Sequence, residues 1–191
     1  MKIVVLFGSP RKDGNTRQLA DAFIDGARTD RNEVRVLYLN DMNIRPCQGC
    51  LSCAERGVCR INDDMRDICK YIVESDVVAY ATPLYWSGPS AQLKLVIDRS
   101  IAFLDEALNS RVKGKRAVSL ISCADDDVDA CTPAREVFKR IFEGLGMEYA
   151  GSIEATGCEE KGSVPKEILN GARNMARSLS SKRGAQRART P

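Results

Sequence analysis

Short apolar runs alternate with helix-patterned stretches along almost the whole chain, and that alternation restricts the fold more than any other feature. Apolar segments suited to buried parallel strands lie at 2–7, 34–39, 76–82, 116–122 and about 147–155. Helical periodicity fills the intervals near 15–28, 63–74, 90–106, 133–144 and 165–181. Thr132-Pro133-Ala134-Arg135-Glu136 carries a helix start signal, with Thr132 as N-cap and Pro133 at the first helical position. Asn62-Asp63-Asp64-Met65 reads the same way. Five β–α units in succession specify a doubly wound parallel sheet with helices on both faces. Ligands of such sheets bind outside the carboxyl ends of the strands, where the strand order reverses. The loops after residues 7, 39, 82 and 122 are therefore the ones to inspect.

No linker or repeat interrupts the pattern, and 191 residues suffice for one domain with a full core. We expect that domain over 1–181, with a cysteine-rich insertion at 46–60 and a basic, disordered tail at 182–191. Residues 173–191 hold six basic and no acidic residues, which leaves 23 basic against 26 acidic in the body. No aromatic residues interleave that charge, so it reads as a solvated terminus and no nucleic-acid partner is expected. No apolar run is long enough to span a bilayer, and residues 1–7 lack the basic flank and cleavage site of a signal peptide. A cytoplasmic location without a membrane partner follows as the expectation. Thiols stay reduced there, so eight cysteines point to metal or redox chemistry rather than to disulfides. The chain has no histidine, which excludes Ser-His-Asp hydrolysis, Cys-His proteolysis and His-ligated zinc.

The first strand runs into Gly8-Ser9-Pro10-Arg11-Lys12-Asp13-Gly14-Asn15-Thr16. A loop entering a helix offers backbone N–H groups and the positive end of the helix dipole to an anion. Ser9, Asn15 and Thr16 add polar donors, and Arg11 or Lys12 adds charge. Gly14 is followed by Asn15-Thr16 instead of Lys-Ser/Thr, so the loop is no Walker A, and it lacks G-x-G-x-x-G. A monophosphate such as that of FMN fits better. After the third strand, Thr82-Pro83-Leu84-Tyr85-Trp86-Ser87-Gly88-Pro89-Ser90 holds the single tryptophan. Flat side chains at a strand's carboxyl end can pack on an isoalloxazine ring, while Ser87, Gly88 and nearby amides can bond its polar edge. Ser90 is placed to cap the next helix.

These two segments resemble the flavodoxin-like NAD(P)H-dependent FMN reductase superfamily over roughly residues 1–160. With the cysteines at 47–59 added, the chain resembles its iron–sulfur flavoprotein branch. The resemblance implies a flavodoxin-like, three-layer α/β/α fold with a five-stranded parallel sheet in the order 2-1-3-4-5. It implies FMN as cofactor, with phosphate contacts from Ser9, Arg11, Asn15 and Thr16 and ring contacts from Pro83, Leu84, Tyr85, Trp86, Ser87 and Gly88. A third flavin loop would be Ser122-Cys123-Ala124. Assembly into a homodimer or homotetramer is also implied.

Cys47, Cys50, Cys53 and Cys59 follow the spacing C-x2-C-x2-C-x5-C. Three thiols at steps of three suit a loop wrapped around an Fe–S cube, whereas zinc favours two separated knuckles. Four reduced thiols without metal are the third option. In iron–sulfur flavoproteins a motif of this kind ligates a [4Fe-4S] cluster, so the resemblance assigns these four residues as ligands. Of the remaining cysteines, Cys69 is expected in the core, and Cys123 and Cys131 bracket a solvated acidic loop. A flavin exchanges one or two electrons and a cubane one. The leading expectation is an electron-transfer flavoprotein. It would take electrons from a ferredoxin-like donor and pass them to oxygen, peroxide, a quinone or another acceptor. The alternatives are a cluster-free NAD(P)H-dependent FMN or quinone reductase, and an FMN-containing thiol redox sensor.

Overall fold

Strand β1 (Lys2–Phe7) is buried from Ile3 onward and pairs in parallel on both sides, with β2 (Glu33–Tyr38) and with β3 (Val77–Tyr85). β3 in turn pairs with β5 (Arg116–Ser122), and β5 with β6 (Glu148–Ala155), again in parallel. The central order is thus β2-β1-β3-β5-β6, the expected doubly wound arrangement. The computed structural model describes the backbone of residues 1–187 and the side chains of residues 1–180.

A sixth strand departs from the expected five. β4 is the two-residue segment Gly88–Pro89, which folds back antiparallel on Leu84 and Tyr85. The turn between them is Trp86-Ser87, with φ of 49° and 60°. Positive φ at both central residues defines a type I′ hairpin, whose twist matches that of the flanking strands. Neither residue favours that region, so the turn stores about 1–2 kcal/mol of strain per residue.

Alternate side chains of each central strand point to opposite faces and build two cores. Ile3, Val5, Phe7, Val77, Ala79 and Ala81 pack on α1 (Asn15–Ala27) and α6 (Lys166–Arg187). Val4, Leu6, Val78 and Tyr80 pack on α3 (Met65–Glu74), α4 (Ala91–Asp98) and α5 (Thr132–Gly144). Buried on both faces, these strands read as continuous apolar runs for a physical reason. Tyr80 sits 4.9 Å from Phe142 and 5.9 Å from Phe138, ring centre to ring centre. Truncating Phe142 to Ala there would cost about 3–5 kcal/mol. α1 and α6 touch backbone to backbone, since a Cβ on Gly26 would lie 2.2 Å from the Arg173 carbonyl oxygen.

The expected helices are present with three differences: the stretch expected over 90–106 is α4 followed by a 3-10 turn at Arg99–Phe103, Cys131 and not Thr132 is the N-cap of α5, and the last helix outruns its expected end at 181. The last helix starts at Lys166 and runs to Arg187, past the point where a tail was expected to begin, and residues 188–191 lie outside the described residues. α5 begins at Thr132 with Cys131 as its N-cap residue, and α3 begins at Met65 after Asp64. Among the described residues no helix is long and apolar enough to cross a membrane.

Candidate functional site

The carboxyl ends of β1, β3 and β5 open onto a cleft of about 630 Å³. Its walls are Ser9, Arg11, Asn15 and Thr16 from the first loop, Pro83, Leu84 and Tyr85 from the end of β3, and Ser122, Cys123 and Ala124 after β5. Three segments far apart in sequence thus meet where the strand order reverses.

The first loop is held by its own backbone. Ser9 Oγ accepts from the Arg11 amide at 3.1 Å, and Gly14, the N-cap residue of α1, offers no side-chain cap. The first-turn N–H groups of an uncapped helix have no intrahelical acceptor, so they present partial positive charge to the cleft. Thr16 is buried, and its hydroxyl lies 2.7 Å from that of Ser122, which ties the first loop to the third. Ser90 ties the first to the second: its Oγ donates to the Gly8 carbonyl at 2.7 Å and accepts from the Leu93 amide at 3.4 Å, capping α4 as expected. Gly8 leaves no room for a side chain, because a Cβ would come within 2.8 Å of Ser90 Oγ and Leu93 Cβ.

Asn15 takes a different part from the expected one. Its amide donates to the carbonyls of Cys158 and Glu160, both at 2.8 Å, and its Oδ1 accepts from the Gly162 and Ser163 amides at 2.8 and 3.3 Å. Both ends of the side chain are spent on holding the loop after β6, so only its backbone N–H is left for an anion. Trp86, Ser87 and Gly88 also lie outside the cleft lining. The hairpin turns the chain away after Tyr85 and leaves Trp86 at 103% relative exposure.

Sequence reasoning missed a fourth wall made of Cys158, Glu159 and Lys161, together with Asp13. Lys161 pairs with Asp13 across the lip, and that hydrogen bond and charge hold the Asp13 carboxyl below its usual value. The available signal was a pair of glycines, Gly157 and Gly162, now found at φ of 64° and 87°. Behind the third loop the Cys123 and Cys131 sulfurs are 3.7 Å apart, and burial pushes the Cys131 thiol up to about 12.

The cysteine loop follows β2, and its short helix packs against the 3-10 turn Arg99–Phe103. Its backbone is irregular apart from α2 (Ser52–Arg56), and left-handed residues at Gly49, Leu51 and Gly57 turn it sharply. Cys53 is buried, Cys59 half-buried, and Cys47 and Cys50 exposed. Burial, and then the neighbouring Cys59, Cys47 and Cys50, raise the Cys53 thiol above its ordinary value. A set of four thiols on one tightly turning loop has the donor chemistry of an Fe–S cube. They are not gathered into a ligating arrangement: among the described residues no three His, Cys, Asp or Glu side chains are placed to hold an ion.

Beneath this loop lies a buried ion pair. Arg99 and Asp63 are 1% and 0% exposed, with Nη1 and Oδ2 2.6 Å apart. Arg99 Nη1 also donates to the Arg45 carbonyl at 3.2 Å, and Asp63 accepts from the Arg45 amide at 2.9 Å and the Met65 amide at 3.2 Å. Burial alone would raise the Asp63 carboxyl, but Arg99 and these amides outweigh it and leave it below its ordinary value. The pair fastens the two stems of the cysteine loop together. Nε and Nη2 of Arg99 are buried without an acceptor, a situation that costs about 1–3 kcal/mol per neutral group and more for a charged one. Cys69, expected in the core, is half-buried and lines a hollow of about 440 Å³ with Cys59 and Arg111.

Comparison with known proteins is consistent with this layout. The family model described as NADPH-dependent FMN reductase matches residues 1–152. An iron–sulfur flavoprotein of Methanocaldococcus jannaschii is 39% identical over 100 residues, covering 52% of this chain and 52% of that protein, so the match spans about half of the relative. An iron–sulfur flavoprotein of Archaeoglobus fulgidus is 34% identical over 182 residues, covering 95% of this chain and 78% of that protein. Among solved structures, an NAD(P)H:quinone oxidoreductase from Methanothermobacter marburgensis superposes with a TM-score of 0.74 at 20% identity, covering 94% of this chain and 96% of that one, a likeness of fold. The chain therefore belongs to the NADPH-dependent FMN reductase family of flavin oxidoreductases, in the branch that contains the iron–sulfur flavoproteins.

Proposed function

We propose that the chain is an electron-transfer flavoprotein with FMN in the four-walled cleft and a [4Fe-4S] cluster on Cys47, Cys50, Cys53 and Cys59. The meeting of the first, second and third loops in one cleft carries the FMN half of this reading. The cluster half is supported by the donor set and by the names of the two relatives. When bound, FMN supplies exchange of hydride or single electrons, and the cluster supplies single-electron transfer. The backbone amides at the start of α1 and the Arg11 charge bind the phosphate. Pro83, Leu84 and Tyr85 form an apolar wall for the ring, and the chain at Ser122–Ala124 offers polar groups to its edge. Lys161 and Asp13 close the lip.

The donor would be a ferredoxin-like protein and the acceptor a small molecule such as oxygen, peroxide or a quinone. The chain would act as a homodimer or homotetramer. Trp86 supports assembly, because a bulky apolar ring held fully exposed on a strained turn gains nothing within one subunit. Leu51 and Val58, also exposed, extend that argument to the cysteine loop.

Anaerobic purification tests the reading. Yellow flavin bands with broad brown absorbance, and iron and sulfide near about four per chain, are the expected result. Flavin at full occupancy with no iron or sulfide after anaerobic reconstitution would overturn the cluster half. One observation favours a second reading, a cluster-free NAD(P)H-dependent FMN or quinone reductase: the four thiols are not gathered for an ion. Rapid reduction of bound flavin by NADPH in iron-free protein would support it.

A further inference from the structure

The ion pair under the cysteine loop does more than a loop fastener requires. A lysine or a neutral amide would also bridge the Arg45 carbonyl and Asp63. The chain instead buries an arginine at 1% exposure and leaves two of its three guanidinium nitrogens without an acceptor among the described residues. Buried charged donors are rarely left unsatisfied, so two unpartnered nitrogens on one guanidinium call for an explanation. The fork is fixed in direction. Nη1 is committed to Asp63 and the Arg45 carbonyl, which leaves Nε and Nη2 for whatever lies beside them.

The surroundings name that partner's chemistry. Arg99 opens a short 3-10 turn, Arg99–Phe103, which packs against α2, the helix that carries Cys53. Its carboxylate partner Asp63 lies four residues beyond Cys59, and Arg45 lies two residues before Cys47. The Cys59 thiol interacts with the guanidinium without satisfying either free nitrogen. Sulfur is thus the acceptor at hand, and an electron-rich sulfur accepts from a guanidinium far better than a neutral thiol does.

We infer that Arg99 is the internal cation of the cysteine cage, and that its unpartnered Nε–H and Nη2–H donate to sulfur, either the Cys59 ligand or sulfide, when the cage holds its [4Fe-4S] cluster. The inference rests on the cluster reading above and adds to it a positioning and tuning residue. Hydrogen bonds to the sulfurs and nearby positive charge stabilise the more negative, reduced cluster and so raise its reduction potential. Asp63 sets the fork's direction, as an outer partner orients a metal ligand. It also offsets part of the Arg99 charge, which keeps the cage from acting as a bare cationic pocket.

The test uses the FMN-loaded, anaerobically reconstituted full chain and the variants R99K and R99Q. Flavin retention and the thermal unfolding midpoint report the fold. Iron and sulfide content report loading, and a titration followed by electron paramagnetic resonance reports the cluster potential. R99K keeps the charge and loses the planar fork, so it is expected to load cluster with a lowered potential and an altered resonance signal. R99Q is expected to load less and to lie lower still. A loaded R99K with the wild-type potential and signal overturns the inference and leaves the cluster reading intact. Wild-type protein that takes up no iron overturns both. Should the variants not fold, arginine labelled with nitrogen-15 in the wild type decides. A hyperfine coupling from a guanidinium nitrogen to the reduced cluster supports the hydrogen bond, and its absence overturns it.

Discussion

The cleft and the cysteine loop are both built for a redox group, yet the chain prepares them in opposite ways. Around the cleft, hydroxyl and amide side chains stitch separate loops to one another: Thr16 to Ser122, Ser90 to Gly8, and Asn15 to the 158–163 segment. The shape is therefore set before anything binds. In the cysteine loop the stems are fastened by Arg99 and Asp63 and Cys53 is buried, while Cys47 and Cys50 stand in solvent and no three of the described side chains are placed to hold an ion. A ligand made of an extended ring and a phosphate needs a shaped container, and backbone with hydrogen bonds can supply one. An inorganic cluster brings its own geometry through strong metal–sulfur bonds, so the protein need supply only ligands, a fixed base and some slack.

Four measurements would break or sharpen that contrast. The largest effect is expected at the base of the cysteine loop: Asp63→Ala leaves Arg99 buried without its counter-charge and should cost about 3–5 kcal/mol, read by chemical denaturation. A loss below about 1 kcal/mol would show that the stems are not fixed there. Second, Asn15→Ala removes four hydrogen bonds at the cleft's rim. Discounted for exposure, it should destabilise by about 2–3 kcal/mol and weaken FMN binding at least about tenfold. Unchanged flavin titration would show that the cleft is not held from that side.

Acid should separate the two regions next. The Asp63 carboxyl lies below its ordinary 3.8 in the folded chain, so the stability it contributes is complete above that value and is lost as pH falls through the folded one. Modification of Cys53 and Cys59 by a pyridyl disulfide, which reacts with thiols even in acid, should then accelerate below that point before flavin is released, and Asp63→Asn should abolish the step. Simultaneous loss of both regions would mean that they melt as one unit. The smallest effect concerns the hairpin. Trp86→Gly relieves a left-handed tryptophan and should stabilise a dilute monomer by about 1 kcal/mol while weakening self-association in light scattering. Unaltered assembly would remove Trp86 from any subunit interface.

The sheet, its strand order and its helices were legible because parallel strands buried on both faces leave uninterrupted apolar runs such as Lys2–Phe7 and Arg116–Ser122. Three walls of the cleft were legible for the same reason, as topology places the ends of β1, β3 and β5 together. The fourth wall was hidden. Nothing near Cys158 or Lys161 identifies a partner for Asn15, since a hydrogen bond across more than 140 positions leaves no local pattern. The Trp86-Ser87 turn was hidden because its residues contradict its conformation, where Asn-Gly would have announced a type I′ hairpin. Arg99 gave no signal either, because a lone arginine after Ile97-Asp98 reads as an ordinary surface residue at a helix end.

The Asn15 staple also has a consequence in time. The first loop leaves the ribosome well before the segment that holds it, and the Asn15 side chain waits for carbonyls 143 and 145 positions further on. At roughly 5–20 residues per second, that wait is on the order of ten seconds. A nascent chain passes that interval with its first helix made and its cofactor site one wall short. Flavin therefore meets a finished container only after the 158–163 segment has emerged, and fragments ending before residue 158 should hold it poorly however well they fold.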